Sequence, residues 1–252
     1  MDGLAGGAMT VMPLLGIGEV RAGDDLAAVL RGALDAAGLS PVRSDVLVVT
    51  QKIASKSQGR FVDLTSVQPG AEAEGIAATT RKDPRLVELV LRESSAIVRV
   101  APGVLITRHR LGHVMANAGI DRSNLGAGGN DMALLLPTDP DGLAAQLGDE
   151  LGCAVIISDS FGRPWRMGVG CVAIGAAGLP ALLDRRGEHD RDGRPLEVTQ
   201  IGLADMIANA AGLVMGEASE GVPAALVQGC AWTGAPRPAA DLIRPLAEDL
   251  FA

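Results

Sequence analysis

Two short β-branched runs, residues 45–51 (DVLVVTQ) and 153–158 (CAVIIS), set the first limit on what this chain can fold into. Apolar runs of this length, bounded by turn residues, mark buried strands. Around them lie helical patterns. Residues 24–37 put Leu26, Val29, Leu30, Ala33, Leu34 and Ala37 on one stripe, opened by acids and followed by Gly38, as dipole and capping arguments expect. Residues 83–93, about 140–151 and 199–215 read as further helices, and 96–100, 104–107, 169–175 and 224–228 as further strands. Between 114 and 136 runs a Gly/Asn/Asp-rich loop flanked by apolar residues, and 188–194 form a charged turn. Without a regular βαβ rhythm the class is α+β, mixed sheets with helices. Neither a Walker sequence nor a G-x-G-x-x-G after a strand occurs, so Rossmann and P-loop folds lack support.

A chain of 252 residues can bury a core without staples. Hydrophobic residues make up 48%, yet no stretch approaches the ~18 apolar residues of a spanning helix. Residues 1–12 lack a basic leader, and so read as no signal peptide. Cys153, Cys171 and Cys230 are odd in number and unpaired in spacing, against both a disulfide framework and a zinc site. The expectation is a cytoplasmic protein with no membrane partner. A net charge of −8 without any basic run argues against nucleic acid. Only three lysines occur (Lys52, Lys56 and Lys82) against nineteen arginines, and two of them stand four residues apart. Phe161 and Trp165, two of five aromatics, share one five-residue stretch. Scarce residues that cluster point to placement.

Two acidic loops could carry chemistry. Asp121-Arg122-Ser123-Asn124 is one; Asp159-Ser160, opening a 159–164 loop after the second apolar run, is the other. Hard divalent cations take oxygen ligands, often one or two carboxylates completed by substrate phosphates. Asp also favours turns and helix caps, which is the plainer reading of both. The QKIASK segment at 51–56 can aim a lysine at a phosphate, although for Lys52 a solvated edge is the simpler expectation. Residues 216–221 (GEASEG) serve either as a helix stop or as a third metal-facing loop, and 16–19 (GIGE) as a flexible turn. His109, His113 and His189 match no ligand spacing.

In order, GIGEVRAGDDL (16–26), DVLVVTQKIASKSQGR (45–60), MANAGIDRSN (115–124), LLLPTDPD (134–141), ISDSFGRPWR (157–166), VAIGAAGLP (172–180) and GEASEGVP (216–223) resemble the coenzyme F-420-0:L-glutamate ligase family, from about residue 13 to 230. The resemblance implies a two-part, family-specific α+β fold. Residues 1–252 would form a single ligase unit with its core at about 13–250, built as one lobe or as two intertwined sub-lobes, and without the C-terminal flavin domain of some relatives. It implies GTP-dependent addition of one or more L-glutamates, gamma-linked, to the lactyl carboxylate of coenzyme F-420-0 through an acyl phosphate. Asp121, Asp159 and Lys56 would be catalytic. Ile17, Gly18, Glu19, Val20, Gln51, Lys56 and Asn124 would contact the nucleotide, and Asp121, Asp159, Ser160 and Glu217 the metal. Two Mg²⁺ or Mn²⁺ ions, K⁺ and a homodimer complete what the resemblance implies. A ligase of the same fold for another amino acid or acceptor, or a nucleotide-binding relative without catalysis, are the other readings. The chain departs from the family pattern at Glu217, Ser219, Leu111, His113, Met206, Met167 and Cys171. Glu217, where many relatives carry Gln, would either tighten a cation or repel a triphosphate.

Overall fold

The computed structural model describes residues 8–125 and 131–249, so residues 126–130 of the Gly/Asn-rich loop and most of the 1–12 leader call lie outside the described residues. In chain order the first half runs β1 (Thr10–Pro13), α1 (Leu26–Ala36), β2 (Val46–Thr50), α2 (Gln51–Ser57), β3 (Phe61–Asp63), α3 (Ala71–Thr80), α4 (Pro84–Arg92), β4 (Ser94–Ala101), β5 (Val104–His109) and β6 (Val114–Ala116). The second half is β7 (Met132–Leu134), α5 (Pro140–Leu151), β8 (Ala154–Arg163), β9 (Arg166–Ala177), β10 (Leu182–Asp184), β11 (Gln200–Gly202), α6 (Leu203–Met215) and β12 (Ala224–Gln228).

The main sheet has the order β1-β12-β2-β8-β9, antiparallel throughout except for the central parallel pair β2–β8. That pair is covered on both faces, the reason its strands are apolar without alternation. Leu47, Val49, Val155 and Ile157 face α1 and α5, meeting Leu30, Leu34 and Leu147. Val46, Val48 and Ile156 face the small residues Ala204, Ala208 and Ala211 of α6. Gly175 allows α5 to sit on β9, since a Cβ there would come within 2.2 Å of the Pro140 carbonyl oxygen. A separate core joins Ala73, Ala77, Val87 and Val90 of α3 and α4 to Leu105 of β5 and Ala133 of β7. Strands β4-β5-β6 form a three-stranded sheet beside it.

The α+β class holds, and most elements match the sequence reading. The main correction concerns 159–164, expected as a loop. β8 runs on to Arg163 because β9 supplies a ladder partner along the whole length, from Asp159↔Val172 to Arg163↔Arg166. Gln51 opens α2 instead of closing β2, and 200–202 pair as β11 before α6 begins.

Candidate active site

A cleft of about 740 Å³ opens where α2, the 117–124 turn, β8 and the segment after α6 converge. That size suits a nucleotide-scale ligand. Its wall includes Ile17, Gly18, Glu19 and Val20 from the loop after β1, Gln51 and Lys56 from α2, and Asp121 and Asn124 from the turn. Asp159 and Ser160 of β8 and Glu217 after α6 complete it. All eleven residues singled out in the sequence therefore meet in one place.

The turn is built from unusual backbone. Asn117, Ala118 and Gly119 have φ of 51°, 52° and 68°, three left-handed residues in succession. Such conformations cost of order 1–3 kcal/mol each when side chains are present, and persist where the surroundings enforce them. Ala118 is fully buried, and a Cβ on Gly119 would lie 2.7 Å from Met115 Cε. The reversal delivers Asp121, whose backbone then exchanges two hydrogen bonds with Leu134 at 3.0 and 2.9 Å.

Both oxygens of Asp121 have partners. Its Oδ2 lies 2.7 Å from Lys52 Nζ, and its Oδ1 accepts from Ser123 N at 2.7 Å and Ser123 Oγ at 2.8 Å. Burial works to raise this carboxyl, but the Lys52 and Ser123 hydrogen bonds outweigh it and hold it below the usual carboxylate range. Asp159 behaves oppositely. Protein surrounds it on nearly every side although one face stays accessible, and burial pushes it up to about 7. The charges of Asp121 and Glu217 add to that rise, while a hydrogen bond from Ser160 N (2.8 Å) and the Lys52 charge oppose it. Ser160 Oγ donates to the Glu217 carboxylate at 2.6–2.7 Å, and Cys171 Sγ stands 3.4 Å from the same group. Burial, followed by the Glu217 contact, pushes the Cys171 thiol up to about 12, so it stays protonated and inert. Lys56, only 4% exposed, is ion-paired to Glu19 and donates to the Asn124 carbonyl at 2.9 Å. Asn124 is itself left-handed, with φ 54°. Ser55 Oγ donates to the buried Gln51 Oε1 at 3.0 Å.

Lys52 is the residue sequence reasoning misplaced. It does not lie on a solvated edge, since its ammonium is tied to Asp121. The signal was present, because residues four apart share a helix face, and α2 turns Lys52 and Lys56 toward the same cleft. Cys171 was noted only as a departure, and Ser123 only as part of its loop.

Three acids and one hydroxyl meet here, and the Asp121 and Glu217 charges add to the rise that burial gives Asp159. Among the described residues no three His, Cys, Asp or Glu side chains form a group that could hold a metal ion by themselves. Carboxylates that supply only part of a coordination shell fit a hard cation whose remaining ligands are phosphates and water.

The family model described as F420-0:Gamma-glutamyl ligase matches residues 15–229. This chain belongs to that family. Among its relatives, a coenzyme F420:L-glutamate ligase of Methanothermobacter thermautotrophicus is 44% identical over 95% of each chain. That of Methanopyrus kandleri is 43% identical over 92% of this chain and 93% of its own. That of Natronomonas pharaonis is 42% identical over 96% and 93%. The match to the F420-0:gamma-glutamyl ligases takes in every element that lines the cleft, from the loop after β1 to the segment after α6.

Proposed function

We propose that this family member is a GTP-dependent ligase that adds L-glutamate to the lactyl carboxylate of coenzyme F-420-0 and then extends a gamma-linked tail. The observation that carries the reading is the convergence of Asp121 and Asp159 with the buried Lys56 in one cleft. A free carboxylate is a poor acylating agent. One acceptor oxygen attacks the γ-phosphorus of GTP, GDP departs, and an acyl phosphate results. The glutamate amine then attacks the acyl carbon, phosphate leaves, and an amide forms.

Phosphoryl transfer asks a protein chiefly for position and positive charge. Lys56, held by Glu19 and the Asn124 carbonyl, supplies a fixed cation between the 17–20 loop and the 121–124 turn. Gln51, Asn124 and residues 17–20 line the nucleotide's side of the cleft. Asp121, Asp159, Ser160 and Glu217 would hold Mg²⁺ or Mn²⁺, which neutralises the phosphate oxygens. We also propose that the enzyme works in the cytoplasm as a homodimer. Ile97, Val98, Val104 and Val114 leave the β4-β5-β6 sheet with exposed apolar side chains, a feature that association would cover. Among the described residues no helix is long and apolar enough to cross a membrane.

Mass spectrometry of the deazaflavin acceptor, after incubation with protein, GTP, Mn²⁺ and L-glutamate, tests the reading. Glutamyl increments that require GTP are expected. No increment from folded protein that binds GTP would overturn the acceptor or the amino acid.

A further inference from the structure

A second cavity, of about 240 Å³, opens where the end of α4, the turn between β5 and β6 and the residues after β7 meet. Arg60, Glu93, His109 and Arg110 form its polar wall, and none of them lines the cleft described above. Glu93, only 7% exposed, is the hub. Its Oε1 accepts from Arg110 Nη2 at 2.7 Å, and its Oε2 faces Arg60 Nη2 at 3.4 Å and His109 Nε2 at 3.6 Å. With two guanidiniums against it, Glu93 is a carboxylate. His109 Nδ1 accepts from Leu111 N at 2.9 Å, so in this arrangement the ring is neutral and its proton sits on Nε2. The wall therefore carries one net positive charge.

Donors outnumber acceptors here. A guanidinium has five N–H groups. Arg60 gives one to the Leu136 carbonyl oxygen at 2.9 Å and one to Glu93, and the Arg110 side chain gives one to Glu93. Among the described residues the other side-chain N–H groups of both meet no protein acceptor, and each oxygen of Glu93 already faces a guanidinium. His109 Nε2–H is without a partner too, since 3.6 Å is too long for a hydrogen bond. A donor buried in that condition needs an explanation. Planar, donor-only forks match the oxygens of a carboxylate or a phosphate. A space below the ~300–1,000 Å³ of drug-sized ligand sites suits an ion of a few atoms.

We propose that this cavity binds a small oxyanion, a carboxylate or a phosphate, between the Arg60 and Arg110 guanidiniums, with His109 as the reserve donor for Glu93. As the anion draws Arg60 from its long contact, a shift of about 0.6 Å brings His109 Nε2–H to the usual ~3.0 Å from Glu93 Oε2. That exchange accounts for a buried donor left without a partner. The site stands apart from the proposed ligation and does not rest on it.

The test needs neither nucleotide, divalent ion nor acceptor. The chain has three histidines, so each imidazole can be followed in proton–nitrogen correlation spectra of the full chain with labelled histidine. Sodium acetate and sodium phosphate are titrated separately at pH 8, against chloride at matched ionic strength. His109 should appear as the Nε2–H tautomer and shift with saturation. A shift with acetate alone assigns a carboxylate as the occupant, and one with phosphate alone assigns free phosphate. His113 packs on Phe161, which lines the cleft, and so reports on an anion bound there instead. Arg110→Gln should weaken the His109 response about tenfold or more, the loss of one charge-assisted hydrogen bond. Arg60→Gln should do the same, and stands in should the first variant fold poorly. No saturable His109 shift with either anion would sink the proposal, as would a response at His113 alone or one that both variants leave unchanged. A failed titration leaves the ligation assay untouched, and failed ligation leaves the titration readable.

Discussion

Replacing Asp159 by asparagine removes the least comfortable charge in the cleft and should stabilise the protein while destroying its activity. An unfolded aspartate ionises near 3.8, whereas burial and the Asp121 and Glu217 charges hold the folded one at about 7. Between those values the folded state keeps a proton that the unfolded state has released. Stability therefore falls as pH rises from about 4 and levels off above about 7. At 1.36 kcal/mol per pH unit the full cost approaches ~4 kcal/mol. The accessible face of the side chain reduces it, so a working range is roughly 2–4 kcal/mol. Asparagine keeps the oxygen that accepts from Ser160 N and loses only the charge. In a chain of this size each kcal/mol moves the melting point by about 2–4 °C. Melts with a chelator present should show Asp159→Asn more stable than wild type at pH 8 by several degrees, and the gap should close near pH 4. Added Mn²⁺ should narrow it from the other side by stabilising only the wild type. A variant that at pH 8 is no more stable than wild type would refute the account of a carboxylate waiting for a cation.

Lys56→Ala removes the ammonium that would give a phosphate a charge-assisted hydrogen bond of about 1.5–3 kcal/mol, and should weaken GTP about 10- to 100-fold with little effect on glutamate. Equal GTP affinity by calorimetry would confine Lys56 to a structural role. Gly119→Ala places a Cβ 2.7 Å from Met115 Cε and about 3.0 Å from the Leu136 methyls, on a left-handed residue. A loss of about 1–3 kcal/mol in urea unfolding and weaker Mn²⁺–GTP binding are expected. His113 is buried edge-on to Phe161, with ring centroids 5.7 Å apart. Burial, aided by the His109 charge and opposed by a hydrogen bond with Ile174, pushes its imidazole down to about 4. The unfolded state takes a proton first as pH falls below 6.5, so stability is lost from there toward 4. His113→Phe should remove that loss, gaining up to about 2 kcal/mol at pH 5 relative to pH 8 in denaturant titrations.

What the sequence made legible follows from burial. β2 and the inner half of β8 are apolar because both faces are covered, and the stripe of α1 is plain because one face is wet. α3 was missed because AEAEGIAATT carries almost no amphipathic contrast, only Ala73, Ala77 and Thr80 being buried. The outer half of β8 read as a loop because Asp159, Ser160 and Gly162 are poor strand formers, and pairing with β9 overrides that preference. The site residues were legible as motifs, but their convergence was not. Lys52 shows why: a lysine's role depends on the 121–124 turn, which lies far along the chain.

The β8–β9 hairpin slips register between Ile157 and Ser158, where β9 carries an extra residue, the buried Ile174. Inside that slip the side chains of β8 alternate between two cores. Outside it Ser160 answers to the cleft, Met167 to water, and Cys171 to both the cleft and the α6 core. Selection thus acts on the two halves of one hairpin under separate rules. Changes in the outer half therefore act first on the cleft, where Asp159 and Ser160 stand, whereas changes in the inner half act first on the packing. Cys171 and Met167, where the chain leaves its family's pattern, both fall on that outer side.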